Sequence, residues 1–220
     1  QASRGRVSGP PPCPAWALAL LLVCEALVVG CDGVVSYKEP DLVPPPIVVF
    51  PDTQDKLMGN FRSACTNMNL EKYQDVLHAD FRFQFKQEDA IGIPSDILDR
   101  DGELAVAHNM FSGEPWPHPD GPPEPGISRI TIGVCDRKTD WTPVAATDPH
   151  FFEPEDAEHG RHASMKATFE VQMQIERDQG SQLQVTGDTI FFVAARDSLV
   201  AGVVKPYYQL RGQQDLTHGT

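Results

Sequence analysis

Basic residues are scarce. Lys and Arg together number 18 against 31 Asp and Glu in 220 residues, a formal charge of −13. Phosphate backbones are held by clustered cations, so this balance excludes a nucleic-acid binder. Long apolar runs are also missing. The run Ala15 to Cys24 is about ten residues, roughly half of what a bilayer-spanning helix needs. Carrying it on to Gly30 would bury Glu25 at membrane depth, which is costly. There is no Gly-rich phosphate loop, no nucleophile elbow and no Cys-x-x-Cys pair, so nothing implies a nucleotide or other cofactor. Cysteines number five, two of them before residue 25. What remains is globular material, 40% hydrophobic and 22% charged.

The chain opens with an address. Arg4 and Arg6 precede AWALALLLVC, a positive start followed by an apolar stretch of secretory-signal length. The stretch ends Val28-Val29-Gly30-Cys31, which resembles a bacterial lipobox: an aliphatic residue, a tolerated residue, a small residue and then Cys. In proteins carrying that motif the Cys thiol is diacylglycerated and becomes the mature N-terminus. The resemblance implies that residues 1–30 are a lipoprotein signal peptide and that Cys31 is the lipidation site. The protein would then be exported and lipid-anchored to a bacterial membrane, facing the periplasm or the cell surface. An ordinary cleaved signal and an uncleaved anchor are the other readings of these residues. Cleavage removes two of the 18 basic and one of the 31 acidic residues, which leaves a charge of −14. Anionic headgroups repel such a surface, so attachment has to rest on the lipid. Residues 31–52 follow as a tether. Pro40, Pro44, Pro45, Pro46 and Pro51 favour an extended, semi-rigid spacer.

From Thr53 the pattern becomes that of one domain, residues 53–212, with 213–220 as a tail. Thr53 and Asp55 can cap a helix in which Leu57, Phe61, Ala64, Cys65 and Met68 recur at helical spacing. A turn at Asn67–Asn69 leads to a second short helix with Leu70, Tyr73 and Leu77 on one face. Phe81 to Lys86 alternates strictly and reads as a strand. Residues 101–111 read as a third helix with Leu104, Ala107, His108 and Phe111 on its apolar face. The back half reads as strands at Ile127–Cys135, Met165–Arg177, Gln184–Ala195 and Leu199–Leu210. The predicted turns are Asp178-Gln179-Gly180 and Arg196-Asp197-Ser198. No proline occurs from Ala157 to Lys205, which fits uninterrupted ladders, and Pro206 suggests a bulge or an edge. Helices first and then a run of strands is an α+β order.

This order, with NLEKYQDVLHADFRFQF, resembles the nuclear transport factor 2-like superfamily, which includes SnoaL-type polyketide cyclases and ketosteroid isomerases. The matching residues are Asn69, Leu70, Glu71, Tyr73, Leu77, Asp80 and Phe81. The resemblance implies helices packed on a curved antiparallel sheet, a cone (a cystatin-like shape) with a pocket at its open end. Such a pocket suits a small apolar ligand held by a few polar contacts. Ketosteroid isomerases carry a general-base Asp near the end of the first strand. Here that place falls to Phe85, with Gln84 before it and no carboxylate until Glu88 and Asp89. The base is absent on this alignment, which favours a small-ligand-binding or protein-interaction module over an isomerase.

The residues left for an enzyme are His78, His108 and Asp80 as an acid/base set. Tyr73, Phe85, His108, Trp116, Trp141 and Tyr207 are the candidates for contacting a ligand. Filling the interface between helices and sheet is the other use of those aromatics. His159-x-x-His162 beside Glu153, Glu155, Asp156 and Glu158 could hold a divalent metal, but it lacks a third ligand at a fixed offset; the segment reads as an acidic, solvated loop with no metal. Export would permit a disulfide between Cys65 and Cys135, although Cys65 on an apolar helix face reads as a buried free thiol. The outer face of the 165–177 strand carries Lys166, Glu170, Gln172 and Gln174. It is polar enough for solvent or for a wet homodimer interface.

Overall fold

A computed structural model of the chain describes residues 49–86, 96–117, 121–148 and 161–216. The expected signal, Cys31, most of the expected tether and His159 lie outside the described residues, as does the side chain of His162. Three helices and seven strands are described: α1 (Gln54–Thr66), α2 (Leu70–Val76), β1 (Leu77–Gln84), β2 (Ile97–Asp99), α3 (Arg100–Ser112), β3 (Ile127–Arg137), β4 (Thr142–Pro143), β5 (Arg161–Arg177), β6 (Gln182–Val200) and β7 (Val203–Asp215).

The first cap falls where the sequence puts it, and two further caps start the other helices. The Thr53 hydroxyl accepts from the Lys56 amide at 3.2 Å and starts α1. Asn69 does the same for α2 through the Lys72 amide at 2.9 Å, and Asp99 starts α3 through the Gly102 amide at 2.9 Å. Leu57, Phe61, Ala64 and Cys65 form the buried stripe of α1. Met68 does not continue it. It sits past the helix end with φ of 48°, in the turn into α2. α3 ends at Gly113, whose φ of 70° is the left-handed conformation glycine adopts freely.

The strands form one sheet in the order β2-β1-β7-β6-β5-β3, with β4 on β5. The sheet is curved, unclosed and mostly antiparallel. The exception is β1, which lies parallel to β7 with Leu77 opposite Leu210. The expected turn at 196–198 is also displaced. β6 runs on through Arg196, Asp197 and Ser198, and the chain reverses at Ala201-Gly202, with φ of 51° and 80°. Positive φ at both central positions is the mark of a type I′ hairpin turn; Ala201 and Gly202 have it, and Arg196, Asp197 and Ser198 do not. Pro206 lies on the stretch of β7 that β1 does not reach, an edge position in keeping with its missing N–H.

β5 alternates as the sequence predicts. Ala167, Phe169 and Ile175 are buried, and Val171 and Met173 pack against the core. The core lies between the helices and this face, around Phe61, Phe81, Phe169, Phe191 and Leu210. No described helix is long and apolar enough to cross a membrane.

Candidate functional site

The interior of the cone holds aromatic rings and one buried polar pair. Phe191 meets Phe61 at 5.4 Å and Phe169 edge-on at 5.3 Å, while Tyr73 stacks on Phe61 at 6.0 Å and edge-on to Phe111 at 5.6 Å. Among these rings the Tyr73 hydroxyl donates to Glu103 Oε1 at 2.6 Å. Glu103 comes from the first turn of α3, and Tyr73 from the middle of α2. Glu103 as a residue is only half-buried, yet its carboxyl group is withdrawn from water. Desolvation pushes its pKa up, partly opposed by the hydrogen bond from Tyr73. Burial, with the Glu103 charge beside it, raises the Tyr73 phenol well above its ordinary value. Cys65 borders the same pair, and its thiol is pushed far up by burial. Cys135, half-buried on β3, is pushed up to about 11 by the same cause. Both are free thiols, so the anticipated buried Cys65 is found and no bridge joins the two.

The acid/base candidates do not meet at that pair. His108 is exposed on α3, away from the apolar stripe in which it was expected. His78 and Asp80 do come together on β1. The Asp80 amide donates to His78 Nδ1 at 3.1 Å, and the Asp80 carboxylate lies 3.8 Å from that nitrogen and 3.6 Å from Arg211 Nη2. The Asp80 side chain is about half exposed, at 52%. Trp141 packs on Phe169 at 5.7 Å, and its indole nitrogen is buried without a hydrogen-bond partner. Trp116 lies under the Arg177 guanidinium at 5.7 Å, and Arg177 pairs with Glu124 at 2.8 Å. These contacts pin the proline-rich loop to β5. Gly126 lets the loop close tightly, because a Cβ there would lie 1.8 Å from the Gly113 carbonyl oxygen. Among the described residues no group of three or more His, Cys, Asp or Glu could hold a metal.

Clefts open to solvent lie among the described residues at two places considered for a ligand. Phe85 meets Phe83 edge-on at 4.8 Å beside a cleft of about 500 Å³ edged by Lys86, Asp96 and Asp215. The other, of about 320 Å³, lies where the chain enters the domain. Its apolar wall is Phe50, Leu57, Val76, Tyr207 and Tyr208, with Lys72 and Asp75 contributed by α2. That volume is of the order of small-ligand sites, and an apolar wall with a few polar groups is their usual composition. Tyr207 is braced there. Its ring lies 5.4 Å from Phe50, its hydroxyl donates to the Asp75 carbonyl at 3.4 Å, and Arg196 sits 5.8 Å from the ring on the side of β6. Burial raises the phenol pKa, Asp75 adds to the rise, and Arg196 opposes it.

Asn60 holds the far wall in place. Its side chain accepts from the Val49 amide at 3.1 Å and donates to the Val49 carbonyl at 2.7 Å. This clasp leaves no trace in the residue pattern, because an Asn on a helix face is ordinarily a solvent residue. Asn60→Ala should release the Val49–Pro51 wall at a cost of about 1 kcal/mol. Limited proteolysis around Val49 should speed up while the helical circular dichroism stays unchanged. Unaltered cleavage would show that the clasp does not hold the wall.

No family model and no curated protein matches the chain. Solved structures do. An NTF2-like protein of unknown function from Rhodospirillum rubrum aligns over 74% of this chain and 95% of its own, at 12% identity and a TM-score of 0.38. ActVI-ORFA from Streptomyces coelicolor aligns over 74% of this chain and 93% of its own, at 12% identity and a TM-score of 0.40. A Mycobacterium tuberculosis protein in complex with estradiol-17β-hemisuccinate aligns over 74% of this chain and 91% of its own, at 12% identity and a TM-score of 0.40. The chain is thus similar to proteins of the nuclear transport factor 2-like kind, at identities and TM-scores that carry no residue, ligand or reaction across to it.

Proposed function

We propose that this protein is a small-ligand-binding module tethered to a bacterial membrane through an acylated Cys31, with the cleft at Phe50, Tyr207 and Tyr208 as its binding site. The observation that carries the binding half is the cleft itself, about 320 Å³ with a mainly apolar wall and Lys72 and Asp75 for orientation. The tethering half is supported by the basic start, the short apolar run, the Val28-Val29-Gly30-Cys31 motif and the prolines that follow. The ligand is a small apolar molecule with one or two polar groups. Acid/base chemistry finds less support: His108 faces solvent, and the desolvated Glu103 is engaged by Tyr73 among packed rings.

The neutral, apolar dye N-phenyl-1-naphthylamine tests the site. We expect saturable fluorescence enhancement, and roughly tenfold weaker binding for Tyr207→Ala, which removes one wall. Binding that ignores Tyr207→Ala, or none at all, would sink the assignment. Mass spectrometry of the chain extracted from membranes tests the anchor separately, and an unmodified Cys31 would end that half of the proposal.

A further inference from the structure

The hairpin joining β6 to β7 carries large apolar side chains on the surface. Leu199 is 72% exposed, Val204 64% and Val203 56%. Leu199 and Val204 face each other across the ladder, and Val200 and Val203 close it at the turn. The arm stands clear of the sheet. Among the described residues, β5 pairs with β6 as far as Arg196, and β1 pairs with β7 only from Leu210 onward. Among the described residues, the four pairs from Asp197–Pro206 to Val200–Val203 have no flanking strand, an arm about 13 Å long. Apolar residues clustered on such a projection mark a surface that something covers.

The course of the chain toward its N-terminus points to what covers it. Residues Phe50 to Asp52 are strapped to the foot of the arm. The Tyr208 amide donates to the Pro51 carbonyl at 2.9 Å, Phe50 lies against Tyr207 at 5.4 Å, and Lys205 Nζ lies 3.4 Å from Asp52. A tether running back from Val49 to Cys31 thus starts beside the hairpin, so an anchor at Cys31 draws this end of the domain toward the bilayer. We propose that the hairpin tip, Leu199, Val203 and Val204, dips into the lipid surface to which the chain is anchored. This rests on the lipoprotein reading above. Interfacial segments bury their apolar side chains about 5–10 Å into the boundary between headgroups and acyl chains, within the reach of this arm. Arg196 and Lys205 lie toward the foot of the arm, Arg196 over the Tyr207 ring and Lys205 on Asp52, so the stretch from Leu199 to Val204 carries no charge. The charge of −13 over the whole chain disfavours strongly anionic membranes, so phosphatidylcholine vesicles are the suitable surface.

The test uses the full acylated chain with Val203→Trp, mixed with phosphatidylcholine vesicles, its emission compared with that of the unsubstituted chain. The introduced indole should shift to shorter wavelength and be quenched by brominated lipid. Adding Leu199→Asp and Val204→Asp should abolish both effects while the chain still floats with the vesicles through Cys31. For chain without acylation, the same two substitutions should weaken vesicle partitioning about tenfold or more. A floating chain whose indole does not respond overturns the inference and leaves the anchor standing. An indole already blue-shifted without vesicles, and not quenched with them, overturns it in favour of cover by residues 42–48 or by a second copy. If Cys31 carries no lipid, the anchor reading falls. Quenching of that non-acylated chain at high lipid would then sustain the hairpin inference, and its absence would overturn it as well.

Discussion

Phe191→Ala will cost about 3–5 kcal/mol of folding stability, a large share of the ~5–15 kcal/mol that an ordinary domain has. Phe191 is 1% exposed and touches both layers, meeting Phe61 of α1 and Phe169 of β5 edge-on or nearly so. Truncation removes the ring's transfer energy and leaves a hole that neither layer can close without moving the other. The prediction bears on function as well as on stability. A cone interior shaped to admit a ligand would already hold free volume, and its lining would tolerate truncation. A packed interior would not. Urea unfolding followed by circular dichroism gives the answer: the midpoint should fall sharply with the slope unchanged. A loss below about 1.5 kcal/mol would mean that the interior is loosely packed, and would move the candidate site from the Tyr207 cleft to the space between α1, α3 and β5.

Local signals in the sequence carried much of this architecture. Thr53 and Asn69 are capping residues followed by apolar residues at helical spacing, and both cap helices. Residues 165–177 alternate because one face of β5 is core and the other is wet. Non-local features left no such trace. Nothing in LHADFRFQ says that its partner is the last strand, more than 120 residues later and parallel to it. The displaced hairpin turn has a plainer cause. Arg196-Asp197-Ser198 is polar like a turn, but polarity marks solvent exposure, and a projecting arm is exposed along its whole length. Conversely Ala201-Gly202, flanked by valines, has the conformation of a turn without the polarity of one.

The candidate sites show the same division. Tyr207 was legible as an aromatic near the end of the sheet. The cleft it walls was not, since Phe50, Val76 and Tyr208 meet only through the fold. On α3, Leu104, Ala107, His108 and Phe111 were all placed on one stripe. Glu103 lies four residues before Ala107 and eight before Phe111, so it shares their line more closely than His108 does. Its charge argued for solvent. The phenol that makes its burial tolerable sits 30 residues earlier, on another helix.

The Tyr73–Glu103 pair should make stability depend on pH with a definite sign. Burial raises the Glu103 pKa in the folded chain above its ordinary 4.5. The folded state therefore holds a proton that the unfolded state has already lost. Stability from this group is complete below about pH 4.5 and declines as pH rises through the folded value. Glu103→Gln keeps an oxygen for the Tyr73 hydroxyl and cannot ionise. Its stability relative to the parent should improve as pH rises above about 4.5. Tyr73→Phe acts in the opposite sense. At pH 8 it strips the carboxylate of a buried donor, for a loss of about 1–3 kcal/mol. At pH 4 the carboxyl is protonated and uncharged, and the loss should be clearly smaller. Phe191→Ala contains no titrating group and should cost the same at both pH values, which separates the ionic effect from mere loosening of the core. Urea unfolding at pH 4 and pH 8 measures all three variants. If Tyr73→Phe costs equally at both, Glu103 does not titrate in that interval, and the pair is a structural link between α2 and α3. If the costs diverge, the domain holds a proton-binding group beside the ring cluster of Phe61, Tyr73 and Phe111.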